Sequence, residues 1–245
     1  MKKKVALVLL SFFILVSGYS TARAVEVSGG ASIDVLSNYV WRGQKLSDDN
    51  GVIQPSVTAG YDGLALNLWA NEDLTNSEHT ETDLTLSYSA SVDKVSIDVG
   101  YIYYALDGAD DTQEIYLSLG YDIILSPSLT VYYDYDEGEG GFLVFAVGHS
   151  FTLPYNAALN LGASASVNLD NAVMGLDSKG QEFTGFYNGE ISASVSVAIN
   201  ENISVEPKVA WSFPLTNDGE TAIESVSFDS NSSTVYGGVA FSLAF

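Results

Sequence analysis

His79 and His149 are the chain's only imidazoles, and it contains no cysteine. The absence of cysteine excludes thiol nucleophiles, Cys-ligated zinc and iron–sulfur centres, and disulfide scaffolds. Residues two apart on a strand share a face, so a serine two positions after a histidine could serve as its nucleophile. Two positions after His149 stands Phe151, while Ser150 points to the opposite face, so His149 reads as an interfacial residue near a turn. His79 lies in a polar stretch beside Glu78 and Glu81 and reads as a solvated loop residue. No catalytic residue, metal centre or cofactor is assigned, and the chain is not expected to be an enzyme.

The remaining groups with chemical potential are carboxylates. Asp134, Asp136, Glu137 and Glu139 form one cluster, and 107–111 holds another. Both offer hard oxygen ligands, but Glu139 stands where an EF-hand loop requires glycine. They read as solvated acidic loops, with weak calcium or magnesium bridging to lipopolysaccharide phosphates as the alternative. Across the chain 31 Asp and Glu oppose 9 Lys and Arg, for a net charge of -22. Phosphate contacts need clustered basic residues, so no nucleic-acid partner is expected. With 47% hydrophobic and only 16% charged residues, the composition also argues against disorder.

The elements that must position these groups begin after an export signal. Lys2, Lys3 and Lys4 precede an apolar run over 5–16, and Ala22-Arg23-Ala24 supplies a cleavage site. Residues 1–24 are read as a signal peptide cleaved after Ala24, and 25–245 as one domain. The apolar run is shorter than the ~20 residues a spanning helix needs.

The rest of the chain alternates with period two. Leu84, Leu86, Tyr88, Ala90 and Val92 interleave with Asp83, Thr85, Ser87, Ser89 and Ser91. Each apolar set then lies on one face of a strand and each polar set on the other. Twelve strands are predicted at 31–42, 52–61, 64–71, 81–92, 94–105, 112–122, 128–135, 142–151, 157–168, 186–199, 203–213 and 234–245. No window shows a helical stripe. Short connections alternate with long ones rich in Gly, Asn, Ser and acids. That asymmetry predicts a single antiparallel transmembrane β-barrel of about twelve strands, with short periplasmic turns, longer external loops and both termini periplasmic. A soluble sandwich or lipocalin-like barrel would place Lys and Arg on its polar face, whereas here that face is mostly Ser, Thr, Asn, Gly and Tyr. Tyr39, Trp41, Tyr103, Tyr133, Tyr135, Trp211 and Phe213 are expected in an outer aromatic girdle, and Tyr61, Tyr121, Phe151 and Phe245 in an inner one.

The chain ends on a strand with Phe241, Leu243 and Phe245 on one parity. This resembles the closing-strand signal that outer-membrane barrels present to the barrel assembly machinery. Ser37-Asn38-Tyr39-Val40-Trp41-Arg42-Gly43, then Ser47-Asp48, Gln54-Pro55 to Gly60-Tyr61, and Gly63 to Trp69-Ala70-Asn71, resemble the TorF-type porin family of bacterial outer-membrane proteins. The resemblance covers about the first third of the exported chain. It departs at Asn38, where an acid is common, and at Gln44-Lys45-Leu46. It implies a porin-like barrel without naming a solute.

The expected partners are the lipid bilayer, lipopolysaccharide, the assembly machinery and small solutes. On the lumen-facing parity stand Asp34, Asp83, Asp98, Glu114, Asp122, Asp134, Glu190 and Glu206, against only Arg42 and Lys208. Carboxylates facing a narrow lumen favour cations, and Tyr104, Tyr116, Tyr132 and Tyr236 are expected to constrict it. Passive, cation-preferring passage of small solutes is the expected function. The alternative is a non-conducting barrel acting through its external loops. Arg42, placed at the outer end of the first strand, is expected near the mouth, where it could hold an acid such as Asp83.

Overall fold

A computed structural model describes residues 27–49, 51–75 and 77–245; the signal segment 1–24 lies outside the described residues. Fourteen strands run in chain order: β1 Val27–Leu36, β2 Val40–Trp41, β3 Gln44–Lys45, β4 Val52–Tyr61, β5 Leu64–Asp73, β6 Glu78–Val92, β7 Val95–Leu106, β8 Thr112–Tyr121, β9 Ser128–Asp134, β10 Gly141–Leu153, β11 Ala157–Leu169, β12 Thr184–Ala198, β13 Ile203–Pro214 and β14 Thr234–Ala244. Twelve of them close into one antiparallel barrel in which every strand pairs with its sequence neighbour, β2 and β3 being passed over, and β14 returns to β1. β2 and β3 form a separate two-stranded hairpin.

The alternation seen in the sequence becomes two surfaces. Leu66, Leu68, Leu84, Leu86, Val99, Leu117, Leu119, Phe145, Ile191 and Val209 are exposed on the outer wall. The opposite parity turns Ser, Thr, Asn and Gly inward, and these bond across strands, as where Asn67 reaches Ser56 and Thr58, Ser118 meets Thr130, and Asn160 reaches Ser194 and Ser196. Every backbone group of a closed barrel finds a partner, which removes the exposed sheet edges. The closing seam pairs β1 with β14 from Leu36 and Gly238 to Gly30 and Ala244, and beyond it Phe245 and Gly29 exchange two backbone hydrogen bonds of 2.9 Å each.

One end carries short turns, with Asp62-Gly63 and Asp93-Lys94 among them, and the other carries the long connections. Asp62 and Gly63 take φ of 48° and 86°, the paired positive values that a two-residue hairpin turn requires. Both ends of the described chain lie at the short-turn end.

Three features depart from the sequence reading. β1 stops at Leu36 rather than at residue 42, and 37–49 folds into the barrel. Tyr39 and Trp41 mimicked the alternation of a continuing strand, but Tyr39 is buried and Trp41 packs inside, so neither joins the outer girdle. Tyr133, Tyr135, Trp211, Tyr61, Tyr121, Phe151 and Phe245 are exposed on the outer wall as expected. The connection after β13 contains a helix, α1, Asn217–Val226. Thr216 caps it by accepting from the Gly219 amide, and Asp218 and Glu220 sit in its first turn where the helix dipole favours acids. Its apolar stripe is only Ala222, Ile223 and Val226, too short for a window-based periodicity to detect.

Candidate functional site

The hairpin β2–β3 turns through Arg42 and Gly43, with φ of 49° and 89°. A two-residue turn of this hand normally carries Asn or Asp at its first position, because a long side chain is disfavoured at positive φ. The reason for arginine lies across the lumen. Its Nη1 and Nη2 donate to Glu114 Oε1 and Oε2 on β8 at 2.7 and 2.6 Å. The two side chains are 9% and 0% exposed. Tyr104 on β7 donates its hydroxyl to the same carboxylate at 2.9 Å. The guanidinium carbon lies 4.4 Å from the Trp41 ring, 4.2 Å from Tyr132 on β9 and 4.7 Å from Phe142 on β10. A planar fork matched to a carboxylate and faced by aromatic rings is the setting that selects arginine over lysine.

Around this contact the outer half of the barrel is filled. Phe142, Met174, Phe183, Tyr187, Ala222 and Ile223 form a buried apolar cluster, with Trp41, Tyr132, Val144 and Val173 packed against it. It joins the wall to α1 and to the 3-10 turn Ala172–Met174 in the connection after β11. Gln44 ties the hairpin to that connection, donating to the Val173 carbonyl and the Tyr187 hydroxyl at 3.2 Å each. Lys45, with a side chain 4% exposed, donates to Asp49 at 2.5 Å and to Asp229 beyond α1 at 2.7 Å. Its own carbonyl accepts from the Phe228 amide. Burial acts to lower the Lys45 pKa, but the two carboxylates outweigh it and leave it raised. The Asp229 carboxyl, although burial pushes it up, is held below the usual range by Lys45 and Asn231.

The inner half is polar and less filled. A cavity of about 310 Å³ is lined there by Glu190, Glu206, Lys208, Tyr236, Ser192 and Ser194, among others. Lys208 pairs with Asp34, reaching across β14 where Gly238 and Ala240 leave room. Tyr236 donates to Glu190 at 2.8 Å, and Ser89 donates to Asp98. Among the described residues Asp83, Asp98, Glu190 and Glu206 form no ion pair, and one Asp83 oxygen is buried without a hydrogen-bond partner.

The positions of the anticipated residues therefore divide. Asp34, Asp83, Asp98, Glu190, Glu206 and Lys208 face the lumen. Arg42 is not at the end of a strand but at the tip of an inserted loop, and its partner is Glu114 rather than Asp83. Glu114 and Asp134 are opposite one another in register and fully buried. Asp134 accepts from Thr112 and from the Asp136 amide, so it lines no open passage and instead ties down the start of the acidic loop that follows it. Asp122 is exposed in the turn after β8, beyond the wall. Phe241, Leu243 and Phe245 are exposed on the outer face of the closing strand. His149 meets Phe151 edge-to-face at 4.6 Å on that same outer surface. His79 bridges Glu72 and Thr82 at 2.8 Å each, across the register shift between β5 and β6. Sequence reasoning missed Gln44, Lys45, Phe142, Tyr187 and Asp229. The one local signal was Arg42-Gly43 between Val40-Trp41 and Gln44-Lys45, a hairpin-turn spacing hidden inside an apparent strand.

Residues 20–130 match the model of a family described as bacterial protein of unknown function (Gcw_chp). No curated protein matches the sequence. Among solved structures, the NanC porin superposes with a TM-score of 0.55 at 11% identity, over 90% of this chain and 99% of its own. An outer-membrane channel from Pseudomonas putida F1 superposes with a TM-score of 0.52 at 10% identity, over 93% of this chain and 98% of its own. Likeness at these identities establishes the fold: a closed twelve-stranded barrel of the outer-membrane porin type.

Proposed function

We propose that the chain, cleaved after Ala24, resides in the bacterial outer membrane as a porin-like barrel for passive, cation-preferring passage of small solutes, in line with its TorF-type resemblance. The single observation carrying this reading is the charge balance of the inner lumen. Lys208 is neutralised by Asp34 and Arg42 by Glu114, while Glu190 and Glu206 line a polar cavity whose one cation, Lys208, is already paired, and Asp98 forms no ion pair among the described residues. Uncompensated carboxylates at low dielectric attract cations and repel anions. Twelve strands enclose a lumen between the filled barrels of eight and the open channels of sixteen, and the inserted loop narrows it further.

The outer surface suits lipid, with the long connections at the lipopolysaccharide side and Phe241, Leu243 and Phe245 presented to the assembly machinery. Reversal potentials of the refolded protein in a salt gradient test the reading. A cation-positive value is expected, and anion preference would refute it. The second reading, a non-conducting barrel acting through its outer loops, is favoured by one observation, the apolar cluster around Tyr187 and Ile223 that fills the outer half.

A further inference from the structure

Arg42 occupies its surroundings as a ligand occupies a receptor. Glu114, Tyr104, Tyr132 and Phe142 come from four consecutive strands of the wall, β7 to β10, and are held there by the barrel itself. Arg42 reaches them from a loop, on a turn whose positive φ disfavours its own side chain. The receptor half is thus rigid and the occupant half is tethered. The wall contributes a fully buried carboxylate whose two oxygens accept a two-pronged donor, a tyrosine hydroxyl that fixes that carboxylate, and two ring faces within 4.7 Å of the cation. That set is specific for a planar guanidinium: an ammonium lacks the fork, and a tetraalkylammonium lacks donors altogether. A separate cavity of about 350 Å³ lies toward the long loops, lined by Trp41, Gln44, Tyr104 and Thr112 among others, so space for a small solute adjoins both the wall tyrosine and the loop tip.

We propose that the Glu114 cage is a guanidinium-binding site of the barrel wall that the chain's own Arg42 occupies, and that a solute bearing a guanidinium group displaces Arg42 and loosens the inserted loop. The inference rests on the proposed solute pathway only for its use; binding itself does not require conduction. A tether of this kind holds its group at an effective concentration of order millimolar or above. A free solute must reach that range to compete in the wild type, whereas in R42A it meets an empty cage.

The test is methylguanidinium binding to full-length refolded protein in detergent, read by tryptophan fluorescence and thermal unfolding, with tetramethylammonium as the control cation. R42A is expected to gain fluorescence change and thermal protection from methylguanidinium alone, with affinity roughly tenfold or more above that of R42A/E114Q, the loss expected when a two-pronged charged contact is removed. The wild type should respond only at higher concentration, reaching the same fluorescence end point. Equal responses of R42A and R42A/E114Q, or equal responses to both cations, would overturn the site. A wild type that never reaches the R42A end point would overturn displacement. Should R42A fail to fold alone, its refolding yield becomes the readout: rescue by methylguanidinium, dependent on Glu114, supports the site, and no rescue overturns it. Because neither readout uses current, a channel that proves silent leaves this result intact, and a failed binding test leaves cation passage to stand on its own.

Discussion

Arg42 and Glu114, 72 positions apart, meet inside the lumen through two hydrogen bonds of 2.7 and 2.6 Å, joining the tip of an inserted loop to the outer part of the wall. The contact explains why β1 ends at Leu36: a loop that buries Tyr39, Trp41 and Leu46 against Val52 and Trp69 gains more than a strand extended beyond the barrel rim. It also predicts an energetic asymmetry. Removing one partner strands the other charge in a buried setting and costs about 3–5 kcal/mol, whereas replacing both with apolar residues of similar volume costs far less. R42A should therefore be markedly destabilised in urea titrations in lipid vesicles, and R42M/E114L should recover most of the loss. Additive losses would show that the two residues do not act as a unit.

The parity of the wall sets a second expectation. Leu117 is 42% exposed on the outer face, while Ser194 lies inside, bonded by Asn160. Arginine at Leu117 should cost about 2–4 kcal/mol of folding stability in vesicles, and arginine at Ser194 much less. Equal penalties would mean that the assigned faces are wrong.

These two cases mark what the sequence made legible. Period-two alternation fixes which face a residue takes because the strand geometry is local, and all twelve wall strands could be read from it. Alternation says nothing about whether a segment stays in the wall. Residues 37–42 continued the pattern and yet turned inward, because the partners of Arg42, namely Glu114, Tyr132 and Phe142, are remote in sequence and only the closed barrel brings them together. Parity likewise gives Glu114 and Asp134 one face of their strands, but the depth of filling that buries both depends on three loops packing at once.

Acid should release the plug's outer tie. Because the folded Asp229 carboxyl is lowered, its bond with Lys45 contributes fully above the unfolded carboxyl pKa of about 3.9 and is lost as pH falls through the folded value. Amide exchange protection at Phe228, whose N–H donates to the Lys45 carbonyl at 2.7 Å, should drop in that acid window. D229N should show low protection at neutral pH and no acid step. Protection in the wild type that stays constant down to pH 2.5 would remove this pair as the tie.

Selectivity should follow the uncompensated carboxylates rather than the buried ones. D98N and E190Q are expected to shift the reversal potential toward neutrality at low salt, with a smaller shift near 1 M, where the screening length falls to about 3 Å. D134N should shift it little, because Asp134 is buried and faces no open lumen. An effect of D134N equal to that of E190Q would place the passage elsewhere.

Single-channel recording of the refolded protein, wild type beside R42A, tests the central claim most directly: a cation-preferring lumen narrowed by the loop that Arg42 anchors. The wild type should show small, well-defined current steps, and R42A larger steps of the same sign of selectivity. Silence from both proteins after verified insertion, or identical steps from the two, would contradict the account.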